Sequence, residues 1–284
     1  GFVAAAVGMA IAAVTFQMRH RKMRSFLARP EPRCAKAVVA VIAVILVLLY
    51  PTAILLSKPQ VLSDSMYALM LVLVLYFVLR CVRRPDRVQT RRYLALLFLF
   101  GALVLFWTLS FQGVTSLNFF ARDHVDAPFD YTLFQAANPL FLLIFAPFLA
   151  LLWPWLDRRG KDPSTPRKFG IGLLLVALSY GLMAVGIHYG VAPDGKVGWG
   201  VLAGCYLLQT LGELALSPIG YSLVGLLAAP EDASLAMGGW FFGIALAYQL
   251  AGWIATLTVG SADDSLSGLA SYSDIYTRLF LAGV

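Results

Sequence analysis

The sequence predicts an all-α membrane protein that crosses the bilayer several times. Three observations carry this reading. Hydrophobic residues make up 60% of the 284-residue chain and charged residues only 13%, about half the charged share of a soluble domain. Apolar runs recur, each close to the ~20 residues that a helix needs to span the hydrocarbon core. Lys and Arg concentrate in alternate loops, as the positive-inside rule demands of successive spans. A transmembrane barrel would instead read as alternating segments of ~10 residues.

Seven complete apolar spans are predicted, at about 37–57, 64–82, 93–120, 134–155, 168–190, 197–227 and 235–259. A run ending near residue 18 and another beginning near 273 read as partial spans. No charged segment precedes the first run, so it does not read as a signal peptide. Both ends fall inside apolar runs, and the chain is read as a piece of a longer protein.

The loop charges orient the spans. Arg19, Arg21, Lys22, Arg24, Arg29, Arg33 and Lys36 fill the first loop, Arg80, Arg83, Arg84, Arg87, Arg91 and Arg92 the third, and Arg158, Arg159, Lys161, Arg167 and Lys168 the fifth. The opposite side holds only Lys58, Arg122, Lys196 and Arg278, with the acids Asp123, Asp126, Asp130, Asp194, Asp263, Asp264 and Asp274. The basic loops are therefore expected in the cytoplasm, against anionic membrane lipids. The loop Ala228-Ala229-Pro230-Glu231-Asp232 contributes no basic residue to this count.

Several function classes are disfavoured. The formal charge of +7 is confined to loops and does not form a nucleic-acid face. Cys34, Cys81 and Cys205 lie far apart with no metal-ligand spacing, and Cys205 reads as a packing residue. His20, His124 and His188 fall in loops or at span ends and read as solvated or at headgroup level. No HExxH or P-loop is present, and Gly220-Tyr221-Ser222-Leu223-Val224 lacks the final glycine of a nucleophile elbow. An enzyme is not expected, and neither a metal nor a bound cofactor is implied.

Taken in order, the spans differ in polarity. Spans 37–57 and 64–82 carry no charge in mid-membrane and read as a lipid-facing hairpin. Span 93–120 gathers Thr108, Gln112, Thr115, Ser116 and Asn118 at near-helical spacing. Such groups serve either as glue between helices, at ~0.6 kcal/mol per contact, or as a cavity wall. Span 134–155 opens with Phe134-Gln135-Ala136-Ala137-Asn138-Pro139 and holds a second proline, Pro147. Each proline removes a backbone donor and is expected to bend the helix, and Asn138 is placed to aim an amide at a ligand. Span 235–259 begins Met237-Gly238-Gly239-Trp240. Gly239 and Gly243, like Gly200 and Gly204, mark close helix packing. Trp240 could wall a pocket for apolar side chains.

Glu213 is the most informative residue. It lies near the middle of span 197–227, where a carboxylate costs from a few to ~10 kcal/mol or more unless it faces a protein interior, a watery cavity or a cation. Its default reading is a site for a substrate or a proton. Gly212 and Ser217-Pro218 are expected to loosen the helix there.

At four of these segments the chain resembles the proton-dependent oligopeptide transporters of the major facilitator superfamily. Thr115-Ser116-Leu117-Asn118-Phe119-Phe120-Ala121 is similar to the family's seventh-helix signature, and Phe134-Gln135-Ala136-Ala137-Asn138-Pro139 to its eighth-helix FQxxNP. Glu213-Leu214-Ala215-Leu216-Ser217-Pro218-Ile219-Gly220 resembles the tenth-helix signature ELxxSPxG, and Met237-Gly238-Gly239-Trp240-Phe241 the start of the eleventh helix. The motifs stand in the family's order and spacing.

The resemblance implies a major facilitator carboxy-terminal helix bundle plus an inserted two-helix hairpin. Residues 1–18 would end the sixth helix, 19–92 would hold cytoplasmic linkers and the hairpin, and 93–284 helices seven to eleven with the start of the twelfth. The amino-terminal six-helix bundle would be the missing partner, with its ExxERFxYY motif and its fourth-helix lysine. The resemblance also implies the roles. Glu213 would engage the peptide amino terminus and that lysine. Asn138 would help to bind the same terminus, and Trp107 and Trp240 would be pocket aromatics. Ser217, one turn from Glu213, would share its site. Asp123 would pair with a first-helix arginine and act with Glu213 in proton coupling. Phe111 departs from the pattern, because many members carry an acid there.

The implied activity is proton-coupled symport of di- and tripeptides across the bacterial inner membrane. The proton gradient would drive it without a cofactor. The alternatives are a same-fold transporter of another small substrate, such as an amino acid or drug, and a non-transporting membrane scaffold.

Overall fold

The computed structural model describes residues 9–18, 35–83, 86–193, 195–259 and 265–284. The first-loop charges from Arg19 to Arg33, together with His20, Cys34, Arg84, Asp194, Asp263 and Asp264, lie outside the described residues. Among the described residues, ten α-helices follow in order: α1 (Met9–Met18), α2 (Ala35–Ser57), α3 (Pro59–Arg83), α4 (Arg87–Ser110), α5 (Ser116–His124), α6 (Ala137–Arg158), α7 (Thr165–Tyr189), α8 (Trp199–Leu227), α9 (Ala233–Val259) and α10 (Ser265–Gly283). Among the described residues, six helical segments are long and apolar enough to cross a membrane. They coincide with six of the seven predicted spans. The described apolar part of the other, Val38–Ile54, is a shorter stretch.

Two compact units make up the chain, Gly1–Leu62 and Ser63–Val284. In the first, α2 exposes its apolar side chains from Val38 to Ile54. The second is a helix bundle in which α7 packs on α8 and α10, α4 on α9, and α6 on α8. Its core gathers Phe77, Tyr93, Phe106, Phe120, Tyr180, Trp240 and Tyr276. A two-residue parallel pairing, Val125 with Val197 and Asp126 with Gly198, joins the loop after α5 to the start of α8. α10 begins at Ser265, well before the start predicted near 273.

α7 and α8 approach closely at two glycines. A Cβ built on Gly212 would lie 2.6 Å from the Gly172 carbonyl oxygen, and one on Gly172 would lie 2.9 Å from that of Gly212. The backbones touch because neither residue has a side chain. Gly212 thus serves close packing, and α8 is helical from Trp199 to Leu227, through the Ser217-Pro218 backbone. At ~1.5 Å per residue its 29 residues rise about 44 Å, more than the hydrocarbon core requires.

The predicted span 93–120 is two helices rather than one. α4 starts earlier, at Arg87, where the Asp86 carboxylate accepts from the Val88 amide at 2.9 Å. It gives way to a 3₁₀ turn over Phe111–Val114 before α5 resumes. The prolines of α6 also differ from expectation. Pro139 sits in the first helical turn, where a missing N–H costs nothing, and only Pro147 and Pro154 lie within the helix.

From Ser63 onward, α3 is fastened to the bundle. Phe77 is fully buried beside Tyr93 and Phe100. Asp232, 3% exposed at the entrance to α9, receives a fork of bonds from Arg80. The Tyr76 hydroxyl donates to it at 2.7 Å, and Tyr93 donates as well. Arg80 is thus a structural partner and not only a loop charge, and the acid in the loop without basic residues is its counterpart.

Candidate functional site

Glu213 faces a cavity of about 300 Å³ inside the second unit. The walls come from the end of α4 and its 3₁₀ turn (Trp107, Ser110, Phe111, Gly113), from the entrance to α6 (Gln135, Asn138), and from α8 (Tyr206, Gln209, Glu213). The α8 contribution follows from spacing: positions 206, 209 and 213 are i, i+3 and i+7, one stripe of a helix. Glu213 is the one carboxylate among these lining residues.

Asn138 sets the polar end. Its Nδ2 donates to Glu213 Oε2 at 3.0 Å and to Thr210 Oγ1 at 3.2 Å. Thr210 is fully buried, and its own hydroxyl donates to the Tyr206 carbonyl at 2.8 Å. The amide is therefore held by α8 on two sides, at the second residue of α6. An ionised carboxylate has about four acceptor sites, and the Asn138 bond uses one of them.

The cavity also has an aromatic wall. Trp107 and Phe111 have ring centroids 5.1 Å apart, and Phe111 meets Tyr248 edge-on at 5.1 Å. Phe111 thus puts an apolar ring on the cavity. Trp107 Nε1 and Ser110 Oγ are buried without a hydrogen-bond partner. Buried polar atoms are satisfied by protein, water or ligand in the great majority of cases, so these two add donor and acceptor capacity to the wall.

The structure brings three of the expected site residues, Trp107, Asn138 and Glu213, onto this one cavity. It places Trp240 elsewhere. That indole is 1% exposed and does not line the cavity. It lies against Tyr221 and over Gly220, where a built Cβ would come within 2.4 Å of the ring. The last glycine of the ELxxSPxG segment is room for this tryptophan. Asp123 is also apart from the cavity, at the end of α5, where Arg122 grips it with Nε–Oδ1 at 2.7 Å and Nη2–Oδ2 at 2.9 Å. The side chain of Ser217 lies outside the described residues.

The polar cluster of the α4–α5 segment divides. Gln112 is fully buried, and its Nε2 donates to the carbonyls of Thr108 and of Ala251 on α9, each at 3.3 Å. Ser116 donates to its Oε1 at 2.6 Å, and Thr108 reaches the Ala247 carbonyl at 3.4 Å. These residues are interhelical glue. Asn118 lies apart, accepting from Gln135 at 3.1 Å. Sequence reasoning missed Tyr206, Gln209 and Ser110. Their spacing from Glu213 and Trp107 was the available signal. Two smaller expectations meet the structure differently. Cys205 is buried, as a packing residue should be, whereas His124 is 7% exposed between Phe120 and Tyr272, not solvated.

A many-helix membrane bundle that holds a carboxylate–amide pair and an aromatic wall around a cavity has the makings of half of a solute carrier, whose sites form between two such repeats. A sequence profile described as PTR2, the POT family, matches residues 1–272, and the chain belongs to that family. An uncharacterized transporter of Bacillus subtilis, YclF, is 30% identical over 270 residues, covering 90% of this chain and 54% of the relative. The dipeptide and tripeptide permease B of Edwardsiella piscicida is 30% identical over 286 residues, covering 97% of this chain and 58% of the relative. A crystal structure of a mutant peptide transporter POT in complex with alafosfalin superimposes with a TM-score of 0.70 at 29% identity, covering 100% of this chain and 59% of that one. The chain thus spans little more than half the length of these relatives.

Proposed function

We propose that this chain is the carboxy-terminal part of a proton-coupled symporter that takes up di- and tripeptides across the bacterial inner membrane. The observation that carries the reading is the Asn138–Glu213 pair, 3.0 Å apart on a cavity whose other walls are largely aromatic and apolar. A zwitterionic peptide needs an anion for its ammonium, an amide to orient it, and walls that accept varied side chains. Glu213, Asn138 and the Trp107–Phe111 face supply that set. Membership of the POT family and likeness to a dipeptide and tripeptide permease support it.

Alternating access needs two repeats rocking about a midplane site, so the amino-terminal six-helix bundle completes the carrier. That bundle would supply the cation that Glu213 faces when no peptide is bound. Glu213, with Asp123 near the outer end, would link proton movement to peptide binding. The protein acts as a carrier and not as an enzyme, and the proton gradient drives it with no cofactor. Uptake into proteoliposomes of the full-length protein tests the substrate class. A labelled dipeptide should enter faster with acid outside. Unlabelled dipeptide should compete, while its N-acetylated form and a free amino acid should not. Equal competition by the N-acetylated form would remove the ammonium–Glu213 contact from the account.

A further inference from the structure

We propose that Tyr206 is a positioning residue that links the cavity to the helix break between α4 and α5. The proposal rests on the peptide-carrier reading for the identity of the ligand. The link itself stands on geometry.

The break is a 3₁₀ turn within a membrane span, where the α-helical ladder changes register. Backbone carbonyls there need partners, because lipid offers none. Two tyrosines supply them. The Tyr206 hydroxyl donates to the Gly113 carbonyl at 2.6 Å, from α8. The Tyr180 hydroxyl donates to the Leu109 carbonyl, from α7. Tyr180 in turn accepts from Gln209 Nε2 at 2.9 Å.

Tyr206 and Gln209 also line the cavity, on the α8 stripe that ends at Glu213. Each therefore has one side toward the ligand space and the other toward the break. The Tyr206 ring has little freedom to do otherwise. It stacks on Phe134 with the planes 13° apart, and a Cβ on Gly113 would sit 3.1 Å from its Cε1. A ligand that draws α8 toward α4 compresses or releases the hydroxyl–carbonyl bond. Contacts that differ between two states are what allow a ligand to shift an equilibrium.

Tyr206→Phe removes the hydroxyl and keeps the ring. In the full-length protein without ligand, amide hydrogen exchange across residues 109–118 should accelerate on the order of tenfold, as expected when a buried carbonyl loses a side-chain donor. Dipeptide affinity should stay within about threefold, because the ring wall is intact, while dipeptide counterflow should slow on the order of tenfold. Gly113→Ala, which crowds the same contact from the other side, should give the same split and stands in if the Phe variant folds poorly. Unchanged exchange across 109–118 in both variants would overturn the proposal. So would affinity and turnover falling in proportion, since that marks Tyr206 as a wall residue only. If the unmutated protein binds no dipeptide, the ligand-free exchange measurement still decides whether the hydroxyl holds the break, and the peptide reading fails separately.

Discussion

Asn138 reaches from the first turn of α6 to Glu213 in the middle of α8, amide to carboxylate at 3.0 Å. The two residues are 75 positions apart in the chain and come from two separate signatures. Their meeting gives both signatures one purpose. The amide fixes the carboxylate toward the cavity, and Thr210 fixes the amide.

Removing the amide should therefore cost binding rather than folding. Asn138→Leu in the full-length protein should raise the half-saturating dipeptide concentration on the order of tenfold, the worth of one hydrogen bond to a charged group. Concentration-dependent uptake reads this directly. A variant with unchanged saturation would show that Glu213 needs no orienting partner.

The α7–α8 contact should be the least tolerant of added volume. Gly212→Ala would put a methyl 2.6 Å from the Gly172 carbonyl oxygen, and overpacking of this kind costs about 1–3 kcal/mol. Gly101→Ala, with open space around it inside α4, is the control and should be neutral or stabilising by up to about 1 kcal/mol. Thermal unfolding of the purified variants side by side separates them, and equal melting points would refute the close approach.

The Arg80–Asp232 pair should behave as a unit. Asp232→Ala leaves Arg80, Tyr76 and Tyr93 without their shared acceptor and should lower the melting temperature. Arg80→Met should do the same, and the two together should be less harmful than their sum. Additive losses in the double-mutant cycle would mean that the ion pair does not fasten α3 to α9.

Trp240 offers a sharp contrast with Trp107. Buried over Gly220, it should govern stability: Trp240→Ala should cost about 3–5 kcal/mol, as large-to-small changes of buried aromatics do, with peptide preference unaltered in whatever protein folds. Trp107→Ala should change preference among dipeptide side chains instead. Competition profiles of the two variants against a dipeptide panel make the comparison.

Much of this was legible in the residues. A carboxylate in mid-span is so costly that Glu213 announces a site, whereas Asn138, an uncharged amide before a proline at the start of its span, is a weak signal alone and gained its role from the resemblance. Apolar runs of the right length located the spans. What escaped were features set by partners distant in sequence. The α4–α5 break falls in Phe111-Gln112-Gly113-Val114, which reads as continuous helix until Tyr206 and Tyr180 are seen to hold the carbonyls of Gly113 and Leu109. Arg80 reads as a topology signal until Asp232, 152 residues away, is placed beside it. Trp240 reads as a pocket wall because aromatics near a signature invite that role. Only packing shows that its ring fills the space left by Gly220.

The account turns on Glu213, and one comparison tests it most directly. Full-length protein and its Glu213→Gln variant are reconstituted in liposomes, and labelled dipeptide is followed with an inward proton gradient and, separately, in gradient-free exchange. The unmutated protein should concentrate the dipeptide above the external level. The variant should lose that accumulation, with exchange persisting only if another acid, Asp123 foremost in this half, carries the proton. Accumulation in the variant equal to that of the unmutated protein would contradict the assignment of Glu213 as the residue that couples the cavity to the proton.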